Sequence, residues 1–320
     1  MNVWLAGSVL IVCLMTGNSI LRACGDTKTP SMLMAGAGLA NAVLDPILIF
    51  GLGPVPSLGI AGAAYATVIA WGISIFFLFY HLVYRLKFIT FIPPVKADFI
   101  NSAKDMLKIG VPAAGANMMT PLATGIMTGI AAGFGNEAVS ALGVGARLEP
   151  LATLIILAMS SSLPPIVSQN FGAGEFARIE SVYKLAIRFI VGWQLLVYIA
   201  LFFAADPIAG IFSDDQNVRD TIVLYLSILP LAYGFQGIII LTNSSLNAIH
   251  RPMTALYLSI ARFFLFYVPF AFIGSQLYGI QGFFIGAASA NFCMAAISLR
   301  TFQKVFQTES KISASSKTSL

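Results

Sequence analysis

With 58% hydrophobic and only 10% charged residues among its 320, the chain lacks the polar side chains to clothe a water-facing surface, for which soluble domains carry roughly 25% charge. A mean hydropathy of +0.86 excludes a soluble domain, and the net charge of +5 sits between apolar blocks, where inner-leaflet topology explains it better than nucleic acid. Three scattered cysteines, Cys13, Cys24 and Cys293, have no metal-ligand spacing and imply neither a disulfide framework nor a zinc site.

Nine apolar spans follow in order, each near the roughly 20 residues a helix needs to cross a bilayer. They are A 4–23, B 31–50, C 59–84, D 109–132, E 138–166, F 185–205, G 218–246, H 253–273 and I 280–302. Gly and Pro punctuate the junctions, as in GDTKTP at 25–30 and GLGPVPS at 51–57. Thr29 before Pro30 predicts an N-cap with proline opening span B. Pro46, Pro112, Pro121, Pro150 and Pro230 predict kinks, which neighbouring helices make tolerable by satisfying the freed carbonyls. Residues 94–108 (PVKADFINSAKDMLK) predict a short amphipathic helix along the cytoplasmic face between C and D. The fold class is an all-α integral membrane bundle. Its parts are 1–84 (three spans), a linker at 85–108, a six-span lobe at 109–302 and a polar tail at 303–320.

Charge orients this map. Of the 18 Lys and Arg residues all but Arg147, Arg219 and Arg262 fall in the A–B, C–D, E–F and G–H connections, at their flanks or in the tail. Asp206, Asp214, Asp215 and Asp220 gather on the opposite side, around Arg219. Positive-inside bias places the C-terminus in the cytoplasm of a multi-pass inner-membrane protein.

The chain also repeats itself. NSILRACGDTKTP (18–30) parallels NSSLNAIHRP (243–252), and one span later GIAGAA (59–64) parallels GIQGFF (279–284). Spans A–C therefore correspond to G–I in the same orientation, a duplicated plan common among transporters. Three more spans, on the order of 110–140 residues, are expected ahead of Met1, giving twelve and a cytoplasmic N-terminus.

Four charged residues lie well inside the spans: Asp45, Arg147, Glu149 and Arg262. Each costs roughly 3 kcal/mol or more in hydrocarbon, and such groups usually mark ion or substrate pathways. Asn41 precedes Asp45 by one turn, so both side chains share a face. Pro46 has no N–H, which frees the carbonyl of Ala42. Carboxylate, amide oxygen and carbonyl suit a sodium ion, while a buried Asp with a raised pKa suits a proton. Thr67 on span C offers a hydroxyl to the same pocket. The plainer reading is a structural Asp capped by Asn41 or loop amides. Glu149 and Arg147 do not face each other, and Arg262 is expected to meet Glu149 as a structural ion pair, or else Glu149 faces a cavity and favours cationic substrates. Asn117, Gln194, Gln236, Asn243 and Asn291 read as interhelical glue. Asn117, Met118 and Tyr233 are also candidates for an adaptable cavity lining. No nucleotide loop, catalytic triad or HExxH motif occurs, so the chain is read as a non-enzyme with no cofactor beyond a coupling ion.

At GDTKTP, NAVLDPILIFG (41–51) and GIAGAAYATVIAW (59–71) the sequence resembles the multidrug and toxic compound extrusion (MATE) family, on its DinF-like side. KIGVPAA (108–114), ALGVGARLEPLATL (141–154) and PPIVSQNFGAGEFAR (164–178) carry the resemblance through the second half. It implies two six-helix lobes, a V-shaped cavity between them and rocker-type export driven by Na⁺ or H⁺. It also implies that Asn41 and Asp45 match a polar pair on the family's fifth helix and Thr67 a threonine on its sixth, together forming part of a cation site. The family's site uses a further aspartate on its first helix that has no counterpart here, and span D has no acidic residue where many relatives carry one. The expected function is cation-coupled antiport of amphipathic, often cationic small molecules, by a monomer whose partners are substrate and bilayer and not nucleic acid. The alternatives are a lipid-linked saccharide flippase on a related bundle and a truncated product that transports nothing.

Overall fold

The computed structural model describes residues 2–51, 56–87 and 96–318. The chain divides into two compact units, residues 1–96 and 97–320. Every regular element among the described residues is helical. The first unit holds α1 (Asn2–Ala23), α2 (Lys28–Phe50) and α3 (Ile60–Tyr80), the last extended by a π-helical turn over His81–Arg85. The second holds α4 (Lys96–Ala132), α5 (Asn136–Ala152), α6 (Leu154–Gly172), α7 (Phe176–Phe203), α8 (Ala205–Phe212), α9 (Gln216–Ile228), α10 (Tyr233–Ala248), α11 (Pro252–Ile260) and α12 (Val268–Thr318).

Burial is inverted relative to a soluble bundle. Only 6% of the most apolar window of α2 is buried, and Phe76, Phe189 and Leu196 are among many large apolar side chains left exposed. Such outward faces suit lipid. Among the described residues six helical stretches are long and apolar enough to cross a membrane: Lys28–Phe50, Ile60–Arg85, Leu154–Gly172, Phe176–Phe203, Gln216–Ala248 and Pro252–Lys311. The last is two segments, because the backbone leaves helical geometry at Tyr278 and Gly279. The nine-span expectation also counted α1, which reaches this composition only as a shorter helix over Gly7–Ala23, and span D, whose Gly, Thr, Asn and Pro residues dilute its hydropathy.

Three local expectations are revised. The separate amphipathic helix expected at 94–108 is instead the beginning of α4, which runs unbroken from Lys96 through Pro112 and Pro121 to Ala132; its first two residues lie outside the described residues. Span E is two helices, α5 and α6, joined at Thr153. The bend is stabilised from outside: the buried Gln194 of α7 donates Nε2 to the carbonyl of Ala152 at 3.0 Å, satisfying a group that the bend takes out of the helical ladder. Finally, Thr29 does not cap α2. The Asp26 carboxylate does, accepting from the amides of Lys28 at 3.1 Å and Thr29 at 3.0 Å, two of the donors a helix start leaves unpaired.

In the first unit α3 packs on both α1 and α2 over a small core of Leu14, Leu21, Leu78 and Leu82. The second unit has two cores. One gathers Ile156, Ile190, Ile239, Leu246 and Met294 from α6, α7, α10 and α12. The other centres on Ile222, Leu226, Phe283 and Phe284, with the Tyr225 ring edge-on to Phe284 at 5.4 Å. In lipid such contacts act through close packing more than through transfer from water.

The repeat read from the sequence has backbone counterparts at three places. Gly25 (φ 90°) and His250 (φ 59°) both end a helix in the left-handed region, and each is followed by the same closing bond, Asp26 N–H to Leu21 O at 3.0 Å and Arg251 N–H to Leu246 O at 2.9 Å, the signature of a Schellman C-cap. Gly59 (φ 55°, ψ −134°) and Gly279 (φ 60°, ψ −141°) turn the chain alike. Three residues on, Gly62 and Gly282 lie so close to the carbonyls of Leu48 and Gly274 that a Cβ would strike them.

Candidate functional site

The polar residues of the first unit converge. α2 and α3 pack closely through Gly62, bringing Thr67, five residues further along α3, beside the Asn41 turn of α2. Asn41 Nδ2 donates to Asp45 Oδ1 at 3.3 Å and to Thr67 Oγ1 at 3.3 Å. The Thr67 hydroxyl spends its own proton on the Ala63 carbonyl at 2.9 Å, so its lone pairs face Asn41. All three side chains are half-buried.

This geometry has a direct chemical meaning. The Asn41 amide nitrogen, with its two partly positive hydrogens, sits between a carboxylate oxygen and a hydroxyl oxygen, where a small cation would be attracted. Both bonds are long for N–H···O, so they compete weakly. Turning the amide over exchanges its nitrogen for its oxygen and leaves three hard oxygen donors, carboxylate, amide and hydroxyl, side by side; such donors suit Na⁺, and the carboxylate alone suits a proton. Pro46 lies within α2 immediately after Asp45 and weakens the helical ladder there.

The second unit carries a separate cavity of about 240 Å³ whose lining includes Glu149, Gln236, Asn291, Tyr225, Tyr233 and Tyr267. Glu149 lies in the last turn of α5, just before the Thr153 bend, where the Thr153 hydroxyl and amide both bond its carbonyl, at 2.7 and 2.8 Å. Its carboxylate accepts from Gln236 Nε2 at 2.8 Å. The expected ion pair with Arg262 is not made: among the described residues no Arg262–Glu149 contact falls within 4.0 Å. The buried Arg262 instead donates Nε to Asn291 Oδ1 at 3.1 Å and stacks its guanidinium 4.8 Å from the Phe263 ring centre. The π-helical turn over Ala261–Tyr267 sets that direction; it shifts the helix register, which sequence spacing does not reveal.

Of the cavity residues singled out from sequence, Glu149 and Tyr233 share this lining. Asn117 and Met118 are exposed on α4, and the Asn117 amide bonds the Ala113 carbonyl at 3.1 Å. Arg147 is exposed. Gln236 and Asn291, read as glue, are the direct partners of the half-buried Glu149 and the buried Arg262. A charge without an opposite charge one turn away needs a neutral hydrogen-bonding partner elsewhere, and that requirement is the signal that would have found them.

Comparison with known proteins places these sites in context. A family model described as MatE matches residues 112–273. The chain is 38% identical over 298 residues to a protein of Shewanella oneidensis named FAD transporter, covering 92% of this chain and 65% of the relative. It is 29% identical to the probable multidrug resistance protein YpnP of Bacillus subtilis, covering 84% of this chain and 59% of that one. The chain thus spans about two thirds or less of the length of these relatives. Among solved structures it superposes on the Vibrio cholerae MATE transporter VcmN in the bent form with a TM-score of 0.85 at 32% identity, covering 96% of this chain and 69% of that one.

Proposed function

The chain belongs to the MATE family, a family of membrane transporters and not of enzymes, and from that membership we propose that it serves cation-coupled export of amphipathic organic solutes. The observation that carries this reading is the meeting of Asn41, Asp45 and Thr67 across α2 and α3. Asp45 takes the driving Na⁺ or H⁺, with Asn41 and Thr67 as co-ligands or as hydrogen-bonding partners of the protonated acid. Occupancy neutralises the carboxylate and frees the Asn41 amide, and the Pro46 site next to it lets α2 change its bend in response. The basic ends of the helices face the cytoplasm, with the C-terminus on that side.

Substrate choice is read from the second cavity. A carboxylate among three tyrosines favours an aromatic cation, by charge and by the electron-rich ring faces. The relative named FAD transporter supports a second reading, a flavin nucleotide, whose anionic phosphates the buried Arg262 would favour and Glu149 oppose. Cells expressing the chain, challenged with an ethidium-type cation and monitored for FAD in the medium, separate the two. Glu149→Gln is expected to reduce cation export about tenfold and leave FAD export unchanged or raised, whereas Asp45→Asn abolishes both. Unchanged export by Asp45→Asn would remove the coupling role from that residue.

A further inference from the structure

Outside both sites, a groove of about 270 Å³ lies between the first half of α7 and the last third of α12. Its floor is aromatic: Tyr183 stacks on Phe302 with ring centres 4.0 Å apart, and Phe302 on Phe306 at 5.8 Å. Its rim is basic and amide-rich. Lys184 and Arg188 stand one turn apart on α7, and Gln303 and Gln307 one turn apart on α12, all lining the same opening and all exposed. The one acid in the lining, Glu180, is held by Lys184 at 2.6 Å, which offsets its repulsion of an anion. Arg188 makes no hydrogen bond or ion pair among the described residues.

We propose that this groove binds one anionic phospholipid, with the phosphate at Arg188 and Lys184 and an acyl chain along Ile187, Leu299 and the Phe302–Phe306 stack. The placement fits that occupant. The groove lies where the start of α7 meets the later part of α12, with Phe176 against Phe306 at 5.6 Å. These two stretches also carry Arg178, Arg300 and Lys304, while Asp214, Asp215 and Asp220 follow the far end of α7. On the membrane orientation proposed above, the groove meets the cytoplasmic leaflet, whose anionic lipids are drawn to basic pockets between helices. Arg and Lys stems lie along apolar surface while their heads reach the headgroup layer. An apolar floor with a cationic rim matches a molecule that has a tail and a phosphate.

The test is a thermal-stability titration of the purified chain in mild detergent with dioleoylphosphatidylglycerol, dioleoylphosphatidylcholine and inorganic phosphate. The expected result is a saturable rise in Tm with phosphatidylglycerol only. Arg188→Gln should weaken the midpoint about five- to tenfold, Arg178→Gln, outside the groove, should leave it unchanged, and Glu180→Gln should tighten it by freeing Lys184. The gain in Glu180→Gln keeps the test informative if Arg188→Gln folds poorly. Equal stabilisation by phosphatidylcholine would reduce the groove to ordinary lipid contact, and equal stabilisation by inorganic phosphate would assign it to a soluble anion; either overturns the proposal, as do wild-type midpoints in both groove variants. None of these outcomes touches Asp45, so the transport reading stands or falls separately.

Discussion

Asp45 and Asp26 are carboxylates of the same unit with opposite surroundings, one with open acceptor sites and one saturated by its neighbours. Asp45 receives a single long bond from a side-chain amide and so keeps spare capacity for a cation. Asp26 is saturated locally: its carboxyl is held below the usual carboxylate range by the Thr29 hydroxyl first, then by the amides of Thr29 and Lys28, with His81, 3.8 Å away, adding a smaller pull. A depressed acid stabilises the fold in full above its unfolded value of about 3.9, and loses that contribution as the pH falls through the lower native value. Asp26→Ala is therefore expected to cost about 1 kcal/mol at neutral pH, the usual size of a lost N-cap. The gap between variant and wild type in denaturant or thermal unfolding should narrow as the pH drops below about 4. A gap that is constant from pH 7 to 3 would contradict the cap. At this scale Asp45 with Asn41 was legible from one-turn spacing alone, and Thr67 from its matching motif. Gln236 and Asn291 were not, because a hydrogen bond between helices distant in sequence leaves no periodic trace.

At the scale of elements, the repeat makes demands on backbone conformation that side chains obey unevenly. The first copy meets the left-handed turn with Gly25 and the second with His250, a residue that pays a conformational penalty of about 1 kcal/mol there. His250→Gly should accordingly stabilise the protein by up to about 1 kcal/mol. At Gly62 and Gly282 the sign reverses: an added Cβ meets main-chain carbonyl oxygen, which cannot yield as a flexible side chain does. Alanine at either position is expected to cost about 1–3 kcal/mol or to separate the helix pair, read as a lowered Tm in detergent. The Gly59–Gly279 and Gly62–Gly282 equivalences were visible in the sequence because Gly is the residue that a left-handed turn or a close backbone approach selects. The bend at Thr153 was not: Pro150 suggested a kink, but its location depends on Gln194 reaching over from α7. The unbroken α4 was hidden for a related reason, since its charged first turns and apolar remainder read as two different environments.

At the scale of the whole molecule, the composition dictates a chain that turns its apolar surface outward and, of the four charges placed inside spans, gives all but the exposed Arg147 a neutral hydrogen-bonding partner. Asp45 is met by Asn41, Glu149 by Gln236 and Arg262 by Asn291. None of the three is neutralised by an opposite charge within ion-pair distance among the described residues, and such partly compensated charges are the ones a mobile ion or substrate can still influence. Membrane class and family were legible from hydropathy, charge asymmetry and motif order, because those are properties of long stretches. The substrate is not a property of long stretches, and the proposed one rests on a single cavity.

The most direct test of the coupling claim is export from proteoliposomes reconstituted with the chain, under an imposed Na⁺ or H⁺ gradient, comparing wild type with Asp45→Asn. The expected result is gradient-driven export by the wild type with one of the two ions, falling to below about a tenth in Asp45→Asn while the variant retains its fold by circular dichroism. Gradient-driven export that survives in Asp45→Asn, or wild-type export indifferent to both gradients, would contradict it.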